Sequence, residues 1–466
     1  MVLTHSSHSK TLNLHHKLLD STEAISTSST CESSIATTSD GSGDFSCTED
    51  LDDSSTLVRL RLRRRRWEVH QSVLEVIGQT AIIRLNRMPI PSGVEVYVKC
   101  ESGNPGGSLK DRLAHGVIEW AEKHGMLRPG QTVIEASSGN TGIGMAMVCA
   151  SKGYPFVCVM SESFSLERRK LMRFLGARVI LTPAKHKASG MLIKAQELAD
   201  KHGFFYTKQF ENEANAWIHE QTTGPEIAKA FAQQGKRLDH FFMAYGTVSW
   251  HPWFPSVLVV LARYLMIHCK MQQGGTILGL SRAFRHANMS TKVHLCEPSN
   301  APMVKSGIPT KYPAPGEGPI SSFETAHPLW SPHLFQGWAT DFIPKLLATA
   351  KEEGGFQEIE HVASGDAIAT SRLLAKSEGI STGISGGGIL AAALRYAQCC
   401  KKGTTILAIL PDTGERYLST VLFEGIPAEM TEEEVMICNS TPSKPPPSAP
   451  SMSGILPADT DSLFDM

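Results

Sequence analysis

Three loops carry residue types that together could perform nucleophilic chemistry on a small anionic ligand. The first reads Asn104-Pro105-Gly106-Gly107-Ser108-Leu109-Lys110-Asp111-Arg112. Its proline and two glycines force a turn, which leaves Lys110 at the start of a helical stretch. An ammonium there faces the positive end of the helix dipole, which favours the neutral amine. The neutral amine is the form that condenses with an aldehyde. Alone, this loop reads more readily as a turn followed by a surface lysine.

The second loop, Ser137-Ser138-Gly139-Asn140-Thr141-Gly142, offers hydroxyls, an amide and open backbone N–H groups where a helix should begin. Such a terminus suits an anion, here a carboxylate, although an ordinary Ser/Asn cap gives the same pattern. The third is Gly383-Ile384-Ser385-Gly386-Gly387-Gly388, ahead of the apolar stretch 389–397. Its glycines admit close approach of a ligand, and Ser385 can donate or accept one hydrogen bond.

The elements that must position these loops follow from hydrophobic patterning. Short apolar runs at 94–99, 132–135, 156–160, 178–181, 239–243, 293–296 and 405–410 read as buried strands. Amphipathic stretches such as 113–124, 165–175 and 188–202 lie between them. Apolar strands alternating with helices imply an α/β fold with mainly parallel sheets covered on both faces. In such sheets ligands sit beyond the carboxyl ends of the strands, where the three loops fall.

Composition narrows the field. The chain has 466 residues with 41% hydrophobic and 20% charged residues, enough for two or three domains. A net charge of −1 gives no electrostatic case for nucleic acid or a membrane surface as partner. Ten scattered cysteines without a C-x-x-C pair argue against a metal cluster and fit a reducing compartment. Residues 1–66 are expected to be disordered: Ser/Thr-rich to residue 56, with nine acidic side chains there, then a run with six arginines. The acids preceding the arginines favour a cytoplasmic chain over a mitochondrial one. Residues 431–466, Ser/Pro-rich from about Asn439, are also expected to be disordered.

Taken in order, the loops resemble the cysteine synthase and cystathionine β-synthase family, pyridoxal 5′-phosphate (PLP) enzymes of fold type II. The resemblance spans about Val73 to Ile426. It opens on Ile77-Gly78-Gln79-Thr80-Ala81-Ile82-Ile83-Arg84-Leu85, with Ala81 where proline is usual, and includes N-P-x-x-S-x-K-D-R and S-G-N-T-G. The segments 165–171, 219–227 and 414–420 resemble the sulfhydrylase branch. This resemblance implies a two-domain, tryptophan synthase β-like fold in residues 67–430, a homodimer, and β-replacement of O-acetyl-L-serine by sulfide. It makes Lys110 the Schiff-base lysine and catalytic base, puts Asn140 on the PLP ring hydroxyl, and sets Ser385 at the pyridine nitrogen. Ser137, Ser138, Gly139, Thr141 and Gln209 would hold the substrate carboxylate. No metal is implied. Cystathionine β-synthase activity is the alternative among enzymes of the family, and a catalytically inactive homologue acting as a binding or regulatory partner is the alternative of a different class.

Two departures qualify the match. The family's phosphate loop, G-T-G-G-T-x-x-G, is split here: Gly246-Thr247 ends one half, and Gly274-Gly275-Thr276-Ile277-Leu278-Gly279 supplies the other. Removing Val248–Gln273 restores it without other change. Val248-Ser249 could be encoded GTG-AGT and Gln273 as CAG, the usual ends of an intron, so the insert is expected to be intron-derived. The second departure is Gln336-Gly337-Trp338-Ala339-Thr340-Asp341-Phe342-Ile343-Pro344, where sulfhydrylases usually have Q-G-I-G-A-G-F-x-P. Trp338 should narrow one wall of the site.

Overall fold

The computed structural model describes residues 69–137, 139–209, 212–245, 274–310, 327–335, 337–340 and 342–441. Ten strands appear among them: β1 (Ile82–Arg84), β2 (Glu95–Cys100), β3 (Val133–Ala136), β4 (Phe156–Ser161), β5 (Arg178–Thr182), β6 (Phe205–Tyr206), β7 (His240–Ala244), β8 (Lys292–Pro298), β9 (Glu358–Val362) and β10 (Thr405–Leu410). They build a six-stranded sheet in the order β1-β2-β10-β7-β8-β9 and a four-stranded sheet in the order β5-β4-β3-β6. Every described pairing is parallel except that of edge strand β1 with β2.

The continuous apolar runs correspond to strands covered on both faces. All residues of β3, β4 and β10 are buried, as expected where helices pack on each side. Each sheet has its own core. One gathers Val96, Phe241, Leu295 and Leu407; the other gathers Ile134, Val148, Val159 and Met191. The strands β1, β6 and β9 escape an apolar-run criterion for different reasons. Two are only two or three residues long, and β9, at a sheet edge, carries three polar side chains among five.

The C-terminal expectation needs correction. Glu432–Asn439 forms a helix within the 431–466 segment expected to be disordered. Its stability is local rather than from burial, since none of its residues is buried. Thr431 Oγ1 accepts from the Glu434 N–H at 3.3 Å, and Glu434 Oε2 accepts from the Thr431 N–H at 2.7 Å. That reciprocal cap, with three acidic residues in the first turn, satisfies free N–H groups and complements the dipole. No described helix is long and apolar enough to cross a membrane.

Candidate active site

The carboxyl ends of β2, β7 and β10 from one sheet meet those of β3 and β6 from the other around a cleft of about 740 Å³, including space open to solvent. Lys110, Asn140, Gln209, Gly274, Gly275, Thr276 and Ser385 all line it. This brings three loops separated by more than 270 residues of sequence into one site.

Lys110 is the first residue of the helix Lys110–Lys123. Its loop is fastened to the end of β10: Leu109 N–H donates to Pro411 O at 2.8 Å, and Ser108 bridges to Asp412. The turn before it closes on Asp111, whose Oδ2 accepts from the Gly106 N–H at 2.7 Å. Burial lowers the Lys110 amine from 10.5 to about 8, because desolvation disfavours the charged form. Enclosure therefore shifts Lys110 toward its neutral, nucleophilic form.

The second loop opens the helix Asn140–Lys152. Ser137 Oγ accepts from the N–H groups of Gly139 at 3.1 Å and Gly142 at 2.9 Å, folding the loop over itself. Thr141 Oγ1 donates to Gln209 Oε1 at 2.6 Å. The Gln209 carboxamide nitrogen donates inward, to Ala136 O at 2.7 Å and Glu135 Oε1 at 3.2 Å. Gln209 thus reaches the cleft as expected, but its N–H donors are committed within the protein. Asn140 is likewise engaged at both ends, by Asp412 and Arg416. Ser138, Gly246 and Thr247 lie outside the described residues.

Ser385 stands one residue into the helix Ile384–Ala397. Its Oγ is buried and has no hydrogen-bond partner among the described residues. A buried unpaired hydroxyl costs about 1–3 kcal/mol, so the site fits a ligand atom that completes this bond. Gly274 has φ +130° and precedes the helix Gly275–His286; a Cβ there would strike the Leu347 backbone, and one on Gly275 would strike Asn215. Only glycine allows this approach, and the free N–H groups of such a helix start match a phosphate. An orphan hydroxyl, a buried low-pKa lysine and a glycine-built helix start together fit PLP.

The wall beside Ser385 carries the residues of the sequence departure. Trp338 lines the cleft, stacked on Phe335 with centroids 4.0 Å apart and planes 2° apart. Ala339 adopts φ +37°, a conformation that favours glycine, at a position where sulfhydrylases usually have glycine. Its N–H donates to Tyr245 O at 2.9 Å, which hangs this wall on the end of β7.

Sequence reasoning missed the groups that hold the site from behind. Arg112 forms paired hydrogen bonds with both Glu101 and Glu226, at 2.6–3.1 Å, and Lys99 joins Glu226 at 2.9 Å. Arg112, Glu101 and Lys99 are almost fully buried. Arg112 was visible in the K-D-R motif, but its distant partners were not. Arg416, seen only as part of a matching motif, joins the Lys110 loop at Gly106 O to Asn140.

A parallel α/β fold with this cleft defines a class of cofactor enzyme, and comparison with known proteins agrees. Residues 73–250 and 265–412 match the family described as "Pyridoxal-phosphate dependent enzyme". The break in the match falls inside the 248–273 insert. O-ureido-L-serine synthase of Streptomyces lavendulae is 42% identical over 76% of this chain and 93% of its own. A cysteine synthase of Staphylococcus aureus is 37% identical over 76% and 96%. A crystal structure of O-ureido-L-serine synthase superposes with a TM-score of 0.65 at 40% identity, covering 79% of this chain and 100% of the other. The chain belongs to the PLP-dependent enzymes of fold type II, within the cysteine synthase family. Its cofactor is PLP.

Proposed function

We propose that this chain catalyses β-replacement on O-acetyl-L-serine, exchanging acetate for sulfide to give L-cysteine. The observation that carries this reading is Ser385 Oγ, buried and unpartnered, in one cleft with the low-pKa amine of Lys110. When bound, PLP supplies an electron sink for charge developing at the substrate α-carbon. Ser385 would meet its pyridine nitrogen, and a hydroxyl there supports less positive charge than a carboxylate would. That weaker support suits rapid loss of a β-substituent.

Lys110 would carry the cofactor and then act as the base that takes the α-proton. Acetate leaves with the electrons of its bond to the β-carbon; sulfide forms a new bond to that carbon, and Lys110 returns a proton to the α-carbon. Asn140, oriented by Asp412 and Arg416, would give its other Nδ2–H to the cofactor's ring hydroxyl. Gly274, Gly275 and Thr276, with Gly246 and Thr247, would receive the phosphate. Ser137, Ser138, Gly139 and Thr141, with Gln209 on the cleft wall, would hold the substrate carboxylate. On the family resemblance, the reading includes a cytoplasmic homodimer, which light scattering and cell fractionation test.

A second nucleophile is supported by the 42% identity to O-ureido-L-serine synthase and by the aromatic wall at Trp338. To make that product from O-acetylserine, this chain would use hydroxyurea in place of sulfide. Holoenzyme supplied with O-acetyl-L-serine and, separately, sulfide, hydroxyurea or homocysteine decides among them. Acetate release with cysteine as main product supports the primary reading. Release without cysteine moves the assignment to another nucleophile, and no release overturns β-replacement of this substrate.

A further inference from the structure

We infer that Glu135 is a positioning residue that sets the substrate-carboxylate loop by fixing the orientation of the Gln209 side chain. The inference rests on the reading of this cleft as an amino-acid site. Glu135 lies at the third position of β3 and is fully buried. No lysine, arginine or histidine is hydrogen-bonded to it in the described structure. Four donors surround its carboxylate instead. Oε1 accepts from the Ala136 N–H at 2.8 Å and from Gln209 Nε2 at 3.2 Å. Oε2 accepts from the Gln209 N–H at 3.0 Å and from the Thr207 hydroxyl.

Two of these bonds grip Gln209, one through its backbone and one through its side chain. Nε2 also donates to Ala136 O at 2.7 Å. A carboxylate and a carbonyl can only accept, so the end of the Gln209 amide that faces them must be nitrogen. Its oxygen is therefore turned toward Thr141, whose hydroxyl donates to it at 2.6 Å. The chain of causes runs from Glu135 to Gln209 to Thr141, the second residue of the helix that would receive the carboxylate. Burial raises Glu135 to about 7, opposed by bonds from Thr207, Gln209 and Ala136, so this carboxylate depends on those donors as they depend on it.

Glu135→Gln keeps the shape but supplies one acceptor oxygen where two are used, and sets an N–H against N–H donors. Gln209 is then held by the Ala136 carbonyl without the two carboxylate bonds, and the acceptor it offers Thr141 is no longer fixed as firmly. Holoenzymes of the native chain, Glu135→Gln, Gln209→Ala and the double variant are titrated with L-methionine by cofactor absorbance, and with O-acetyl-L-serine by acetate release. The expected result is an L-methionine Kd and an O-acetylserine KM raised about tenfold by Glu135→Gln, with kcat changed less than threefold. In the Gln209→Ala background, Glu135→Gln should add less than twofold. Native affinity in Glu135→Gln, or an equal penalty in both backgrounds, overturns the inference; the second result would leave Glu135 a structural residue only. A native protein that binds L-methionine without releasing acetate would refute the proposed reaction while the cycle still decides the role of Glu135.

Discussion

Asn140 donates its Nδ2–H to Asp412 Oδ2 across 2.8 Å, tying the start of the helix Asn140–Lys152 to the loop after β10. Tyr417 donates to the same carboxylate oxygen at 2.7 Å, and Arg416 donates to Asn140 Oδ1. The two halves of the cleft are thus linked through the amide expected to face the PLP ring hydroxyl. Asp412→Ala removes the oxygen that both donors share and leaves Asn140 held by Arg416 alone. Loss of one hydrogen bond of about 1 kcal/mol should raise the PLP Kd about fivefold in fluorescence titration of the apoprotein.

The Lys110 amine sets a pH dependence. With a pKa of about 8, about one tenth of it is neutral at pH 7 and nine tenths at pH 9. Reconstitution of apoprotein with PLP, limited by attack of the neutral amine, should speed up about tenfold across that interval and level off above it. Because the folded pKa lies below the ordinary 10.5, the unfolded chain holds more protons between about 8 and 10.5. This group therefore makes stability rise with pH across that window. Stopped-flow absorbance checks the first effect and urea titration the second.

Ser385→Ala removes the buried, unpartnered hydroxyl offered to the cofactor. A lost hydrogen bond of about 1–3 kcal/mol corresponds to a fall in kcat/KM of about fivefold to 150-fold. Stability of the apoprotein should hold or rise, because this hydroxyl makes no bond within the described protein. Steady-state kinetics beside thermal unfolding separate the two.

Arg112→Ala takes the guanidinium from Glu101, which is fully buried, and from Glu226, which Arg112 and Lys99 together lower to about 2 against its own burial, leaving Lys99 as their shared cation. Breaking a buried charge pair costs about 3–5 kcal/mol. Urea denaturation should show a loss of that size, with little recovery in Arg112→Lys, which cannot span both carboxylates.

Deleting Val248–Gln273 makes Tyr245-Gly246-Thr247-Gly274-Gly275-Thr276 continuous. Phosphate-binding N–H groups act only when they converge. The deleted chain should therefore bind PLP at least tenfold more tightly than the full chain, by equilibrium dialysis. Equal affinity would show that the segment does not interrupt the phosphate loop.

Much of this architecture was legible in the sequence, for identifiable reasons. Strands buried on both faces write continuous apolar runs, so β3, β4 and β10 were plain, and loops at their carboxyl ends carry local motifs. What long-range packing decides left no local mark. The Arg112 partners Glu101 and Glu226 come from separate elements, and the inward donors of Gln209 depend on Glu135, 74 residues away. Trp338 was legible as a departure from a pattern, but its stack on Phe335 and the positive φ of Ala339 required the fold.

Lys110 as the residue that carries PLP is tested most directly by borohydride reduction of the holoprotein, followed by peptide mass spectrometry. A phosphopyridoxyl group on Lys110, absent from Lys110→Ala, is the expected result. A label on a different lysine, or an unlabelled protein that still turns over O-acetylserine, would contradict it.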